Sequence, residues 1–274
     1  MKRIILCADD FAYSPAISDS IITLAEQQRL SATSCLTNFP NWPTDAKKIQ
    51  SLSNQISIGL HLNFTEGRAL HAASQSQFDS IGQLIKRSFT KQVDKELIAQ
   101  EIIAQIENFK KHFGQLPDFI DGHQHVHQLP IFREALLRAY HDYFPNKQTM
   151  IRVSSNPLAT AILQARHCLK LLIISLSGAL ALKKSLAKLK IPHNKSFSGI
   201  YHLQPTSYGK HFIRFLGEVN ESGLIMCHPG NHSDIATDTI ARARQQEFDF
   251  LISKEFDILL ASQSVQLCKT TPQN

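Results

Sequence analysis

Four patches of a 274-residue sequence carry side chains whose types and spacing suit metal or proton chemistry. Asp9-Asp10 follows the apolar run Ile4–Ala8, and His61 lies within ISIGLHLNF. Asp121, His123, His125 and His127 alternate along DGHQHVH, and His228 follows LIMC just before Pro-Gly. Two carboxylates directly after an apolar strand sit where burial is costly unless a cation or a proton partners them. A mixed Asp/His set suits Zn²⁺, Mn²⁺, Co²⁺ or Mg²⁺, whereas a structural zinc of the cysteine type is excluded for want of thiolate pairs. His228 ends a strand at a sharp turn, where an imidazole that titrates near neutrality is a candidate general acid. Arg152 closes the run Met150–Val153 and could hold a carboxylate such as Asp9 or simply face solvent.

Each patch also has a plainer reading. An Asp pair after a strand can cap a helix, a lone histidine in an apolar strand can be hydrogen-bonded core, and His228 can be a packing residue. The DGHQHVH run is the strongest signal. Read as an extended strand, its alternate residues share one face. At ~3.3 Å per residue, His123 and His127 would then lie ~13 Å apart, too far for both to reach one ion through ~2.1 Å bonds. At most two neighbours of the run bind directly, and the others orient ligands or contact substrate.

Short apolar runs alternate with stretches of helical period, and these must position the four patches. Strands are predicted at Ile4–Ala8, Thr33–Leu36, Ile56–Phe64, Phe119–Val126, Met150–Val153, Leu224–Cys227 and Asp257–Leu260. Helices are predicted at Pro15–Arg29 with Ser14 as N-cap, Trp42–Leu52, Asp94–His112, Ile131–Tyr143, Ala159–Lys190 with a break near Ser177-Gly178, and Thr239–Lys254. Residues 68–90 read as a loop. Repeated strand–helix order implies a parallel sheet, and about seven units in this length fit a distorted, TIM-barrel-like (β/α) barrel spanning residues 1–274 as a single domain. An open doubly wound sheet is the alternative. In either case the strand C-termini converge on one rim, which brings the four patches together. Residues 155–200 read as a helical insertion beside the barrel.

With 43% hydrophobic and 19% charged residues, the chain can bury a core and is not disordered by composition. Eleven glycines and eleven prolines exclude collagen-like and low-complexity classes. No run approaches the roughly 20 apolar residues of a membrane span, and MKRIILCADD is too short in its apolar part for a signal-peptide core. Five scattered cysteines without a CxxC pair point to reduced thiols in a cytoplasmic setting. The formal charge is +6, unevenly placed: no Asp or Glu occurs between Asp142 and Glu218, a stretch with eleven Lys and Arg residues. Those bases bracket the most apolar run, Leu171–Leu182, without interleaved aromatics. That pattern favours a peripheral contact of residues 166–190 with an anionic inner-membrane surface over nucleic acid, and a buried helix with solvated ends is its plain alternative.

Taken together, ILCADDF with its following helix, SIGLHLNFTEG, DGHQHVHQLP and the late MCHPG resemble the YdjC-like carbohydrate deacetylases, in the same order, over residues 1 to about 260. The resemblance implies a distorted (β/α) barrel with one divalent metal, Mg²⁺ or Zn²⁺ (Mn²⁺ or Co²⁺ as alternatives), on Asp10, His61 and His123. It further implies Asp9 as general base and His228 as general acid; the spacing of the run and the strand end at 152 leave Asp121, His125, His127 and Arg152 to support the ligands or touch substrate. The substrate would be an N-acetylated sugar, free or lipid-linked, hydrolysed to acetate and an amine. Another metallohydrolase activity, such as phosphoester cleavage, and a non-catalytic carbohydrate- or membrane-binding role are the rivals. The family usually carries ADDFG, whereas this chain has Ala12 after Phe11, which alters the turn beside the metal without removing a ligand. The 155–200 insertion is more like the hopanoid-associated branch of the family than the short chitooligosaccharide branch. Oligomeric state is left open, a homodimer included.

Overall fold

The computed structural model describes residues 1–73, 78–155, 178–203, 207–231 and 238–270. Strand β1 (Lys2–Phe11) is the organising element. Its even residues Ile4, Leu6 and Ala8 face the surrounding helices, while Ile5 and Cys7 face inward. All pairings are parallel: β1 pairs with β2 (Ala32–Cys35), β2 with β3 (Ser57–Leu62), β3 with β4 (Phe119–Gly122) and β4 with β5 (Met150–Ile151). On its other side β1 pairs with β7 (Gly223–Cys227), and β7 with β6 (Phe197–Ser198). The short β8 (Val265–Leu267) pairs with the first residues of β1.

The order β5-β4-β3-β2-β1-β7-β6 curls into a distorted barrel. Inward side chains from β1, β2, β4, β5, β6 and β7 meet in one cluster, among them Cys7, Phe119, Met150, Phe197 and Leu224. The seam between β5 and β6 is bridged by irregular chain: Ile151 N–H donates to the Pro192 carbonyl (2.9 Å), and the Asn194 side chain bonds both main-chain groups of Val153 (2.7 and 3.0 Å). Gly59 in β3 faces the interior because the Phe119 ring fills the space its side chain would need; a Cβ there would lie 2.4 Å from the ring. That inward parity makes His61, two residues on, an inward residue at the strand's C-terminal end.

Helices α1 (Pro15–Glu26), α2 (Trp42–Gln50), α3 (Ile81–Phe89), α4 (Lys95–Phe113) and α5 (Pro130–Tyr143) cover the first five strands. Ser14 caps α1 as expected, accepting from Ile17 N–H, with Pro15 at the first position. Asp94 caps α4, and Gly114 in the left-handed region ends it. After β5 come α6 (Leu180–Leu189), α7 (Tyr208–Glu218), α8 (Ala241–Ile252) and α9 (Lys254–Ser262).

Several sequence expectations are corrected. Residues 68–90 are not all loop: α3 starts at a Ser80/Gln83 capping box, a local signal stronger than the weak periodicity around it. Residues 257–260 belong to α9, and the last strand lies later, at Val265–Leu267, because Ser253 caps a new helix at Phe256 N–H. Strand β4 stops at Gly122, so DGHQHVH is not one extended face. Of the 155–200 insertion and the proposed membrane contact at 166–190, residues 156–177 lie outside the described residues. The described part packs Leu182 and Leu186 of α6 into the core between the sheet and its surrounding helices and leaves Lys183, Lys184 and Lys188 exposed. Among the described residues no helix is long and apolar enough to cross a membrane.

Candidate metal centre

The C-terminal ends of β1, β3, β4, β5 and β7 bring Asp9, Asp10, His61, Asp121, His123, Arg152 and His228 to one end of the barrel. Asp10 has φ +69, a left-handed conformation at the strand end that turns its carboxylate onto the barrel mouth. Its Oδ1 lies 3.0 Å from Nδ1 of His123 and 3.4 Å from Nε2 of His61. One donor atom from each of the three residues falls within 4.8 Å of the others, and all three are buried.

Both imidazoles have their remaining nitrogen held by a carboxylate. The sheet register sets His61 beside Asp121, and Nδ1 of His61 donates to Asp121 Oδ1 at 2.6 Å, with Ser34 Oγ donating to the same oxygen at 2.9 Å. On His123, Nε2 is 3.3 Å from Glu66 Oε1, supplied by the loop after β3. This aims Nε2 of His61 and Nδ1 of His123 at Asp10, the carboxylate–histidine arrangement typical of metal ligands. The second oxygen of Asp10 accepts from Arg244 at 2.7 Å. Burial alone would raise the Asp10 pKa, but Arg244 and His123 hold it well below the usual carboxylate range. Burial opposes protonation of the two imidazoles, yet Asp121 raises His61 to about 9 and Asp10 raises His123 to about 10. A buried site that draws protons this strongly is built to hold positive charge. The donor set, one carboxylate and two imidazoles converging on one point, fits a divalent cation such as Zn²⁺, Mn²⁺, Co²⁺ or Mg²⁺.

Asp9 points inward beneath this group. Arg152, wholly buried, donates from both terminal nitrogens to the two Asp9 oxygens at 2.7 Å each, and its Nη1 lies 3.0 Å from Asp121 Oδ2. Of the two readings of Arg152, the carboxylate clamp is therefore the one realised. Burial would push the Asp9 carboxyl up, but Arg152 and His61 bring it well below its ordinary value. Cys7, Asp9 and Asp121 also offer donor atoms within 4.8 Å of one another. The Arg152 guanidinium stands there as their cation, and burial keeps the Cys7 thiol protonated.

His228 lines the same cavity, of about 310 Å³, that Asp9, Asp10, His61 and His123 line. Burial lowers its pKa against the pull of Asp10 and Asp9, and its Nδ1 has no hydrogen-bond partner among the described residues. His127 does not face the cavity. Its ring packs on Gly122 and its Nε2 bonds the Arg152 carbonyl at 2.9 Å, so it positions the arginine's main chain. Burial lowers His127 to about 4, which keeps it neutral. The four residues of the DGHQHVH run diverge because the chain from His123 to Gln128 winds in a tight 3-10 turn, with Gln124 and His125 at φ +52 and +61.

Sequence reading missed Arg244 and Glu247, one turn apart on α8. Both are buried charges on a helix face that should be apolar, and that is the signal that could have found them. Glu247 accepts from Tyr201 OH at 2.6 Å and from the main-chain N–H of His228 at 2.5 Å. Burial raises its pKa to about 7 despite these bonds. Glu66 was also missed; its only signal was its place in the TEG loop after a ligand-bearing strand.

A family model described as YdjC-like protein matches residues 3–262. The chain belongs to the YdjC-like family. A human carbohydrate deacetylase is 31% identical over 147 residues, covering 49% of this chain and 45% of that protein. A chitooligosaccharide deacetylase of Yersinia enterocolitica is 32% identical over 133 residues, covering 47% of this chain and 52% of that one. The alignments thus span about half the length of the curated relatives the chain matches. Among solved structures, an Enterococcus faecalis protein provisionally named for cellobiose-phosphate cleavage superposes with a TM-score of 0.74 at 20% identity, over 98% of this chain and 97% of that one. A peptidoglycan N-acetylglucosamine deacetylase superposes with a TM-score of 0.55 at 13% identity, over 99% and 90%. At these identities the likeness shows the shared fold alone. Ala12 has φ +72, a left-handed conformation that glycine adopts without the steric cost alanine bears.

Proposed function

We propose that this chain is a metal-dependent hydrolase that removes the N-acetyl group from an amino sugar, releasing acetate and a free amine. The observation that carries the reading is the convergence on Asp10 Oδ1 of two imidazoles whose far nitrogens are held by carboxylates, above an Arg-clamped Asp9. The names of the curated relatives supply the substrate class. Strands from both ends of the sheet contribute to the site, which supports one functional unit over residues 1–274. Asp10, His61 and His123 would hold one divalent ion, Mg²⁺ or Zn²⁺ first among the options. When bound, such an ion lowers the pKa of water from 15.7 toward roughly 7 and polarises a carbonyl.

The chain's own residues do the rest. Asp9 takes the proton of the attacking water; Arg152 keeps it ionised beforehand and, with both oxygens clamped, fixed in direction. His228, whose charged form Asp10 and Asp9 favour against the burial that lowers its pKa, gives a proton to the departing nitrogen, without which the C–N bond does not break, because an amide anion is a poor leaving group. Its ring lines the cavity, while Glu247 anchors the residue through its main chain. A new C–O bond forms as C–N breaks, and acetate leaves with the amine. The test is release of acetate from a panel of N-acetylated glycans by metal-reconstituted protein. His228→Ala should lose roughly 10²–10⁴-fold in rate. Phosphate release from sugar phosphates without any acetate release would overturn the reading.

A further inference from the structure

Two costs coincide at one wall of the cavity. Gln124 and His125 are consecutive non-glycine residues in the left-handed region, a conformation that persists only where the surrounding structure enforces it. At the same pair, Oε1 of Gln124 and Nδ1 of His125 are buried with no hydrogen-bond partner among the described residues. His125 is 5% exposed, and its ring is set edge-on against Phe197 with centroids 5.8 Å apart. Both residues line the cavity that holds the Asp10 group, together with Ile200 and Tyr201. A strained turn is kept when the direction it gives its side chains is used, and buried polar atoms without partners are kept when a ligand completes them. Neither residue is needed to orient the metal ligands, whose partners are Asp121 and Glu66.

We propose that Gln124 and His125 are the pair that recognises the sugar ring, the carboxamide and the imidazole hydrogen-bonding hydroxyl groups of the unit that carries the acetamido group. This rests on the carbohydrate reading above and adds the residues that set specificity for a hydroxylated ring over a simple acetamide. It also explains why the turn after His123 is not relaxed by glycine: Gly at 124 would remove the strain and the carboxamide together.

The probe is the disaccharide of N-acetylglucosamine, titrated calorimetrically into the metal-loaded protein and into its Gln124→Gly and His125→Phe variants. Phe at 125 keeps the contact with Phe197 and removes only the nitrogens. Each variant should weaken the disaccharide Kd by about tenfold, the range of one neutral hydrogen bond. Gln124→Gly should unfold at a temperature no lower than the unsubstituted chain, because glycine adopts φ +52 without cost. Unchanged Kd in both variants, no binding by the unsubstituted chain, or a marked fall in the Tm of Gln124→Gly would each overturn the proposal. Weakened binding in the variants, with no acetate released by any form, would uphold the recognition pair and refute the deacetylase reading instead.

Discussion

Replacing Arg152 by methionine isolates the electrostatic centre of the barrel. The guanidinium is wholly buried, bonds both oxygens of Asp9 at 2.7 Å and reaches Asp121 at 3.0 Å. Methionine fills much of the same volume but leaves two buried carboxylates without their cation. Breaking a buried pair in this way costs roughly 3–5 kcal/mol. For a chain of this size, about 2 °C of Tm corresponds to each kcal/mol, so Arg152→Met should unfold about 6–10 °C lower at pH 7.5. The sign of the pH effect follows from Asp9. Its folded pKa is depressed in the native protein, so its contribution is present above the unfolded value and is lost as pH falls through the folded one. Without Arg152, burial is opposed only by the weaker pull of His61 and His228 and that pKa rises, so protonation relieves the variant as pH falls. The deficit against the native protein should therefore shrink between pH 7.5 and about 4, read by thermal unfolding followed by circular dichroism. A loss of less than about 2 °C, or a deficit that widens toward acid, would refute the reasoning.

Two further substitutions test other parts of the frame. Glu247 carries a folded pKa raised to about 7, so its contribution is complete below the unfolded value and is lost as pH rises through 7; the loss is on the order of 3 kcal/mol. Glu247→Gln should flatten the Tm profile between pH 5 and 8, and an unchanged slope would assign that slope to other groups. Ala12→Gly relieves the left-handed φ of +72 while keeping the bond from its N–H to Ser18 Oγ, and should raise stability by up to about 1 kcal/mol in denaturant titration.

Much of the site was legible because strand ends announce themselves. Asp9-Asp10 and His228 follow apolar runs and His61 lies near the end of one, and parallel β/α order sends such ends to one rim. The three expected ligands do converge. What failed was the assumption that alternation implies extension. DGHQHVH has strand-like spacing, but Gly122 lets His127 fold back onto the main chain, and two left-handed residues turn the run away. Tertiary packing, not local pattern, decides that turn. Arg244 is a related case: its place on the face of Ala243, Phe250 and Leu251 marks it as buried, but nothing local names Asp10 as its partner, 234 residues away. Short edge elements were lost for a different reason. A two-residue strand such as β6 has no period to read, and it exists only because Phe197 fills the barrel and Ser198 pairs with Ile225.

The most direct measurement is the divalent-metal content of the purified chain beside its Asp10→Asn, His61→Ala and His123→Ala variants, by elemental analysis, with acetate release followed in parallel. One ion per chain in the native protein, lost together with activity in each variant whose circular dichroism remains native, is the expected result. Full acetate release from thoroughly chelated protein, or undiminished metal in the folded variants, would contradict it.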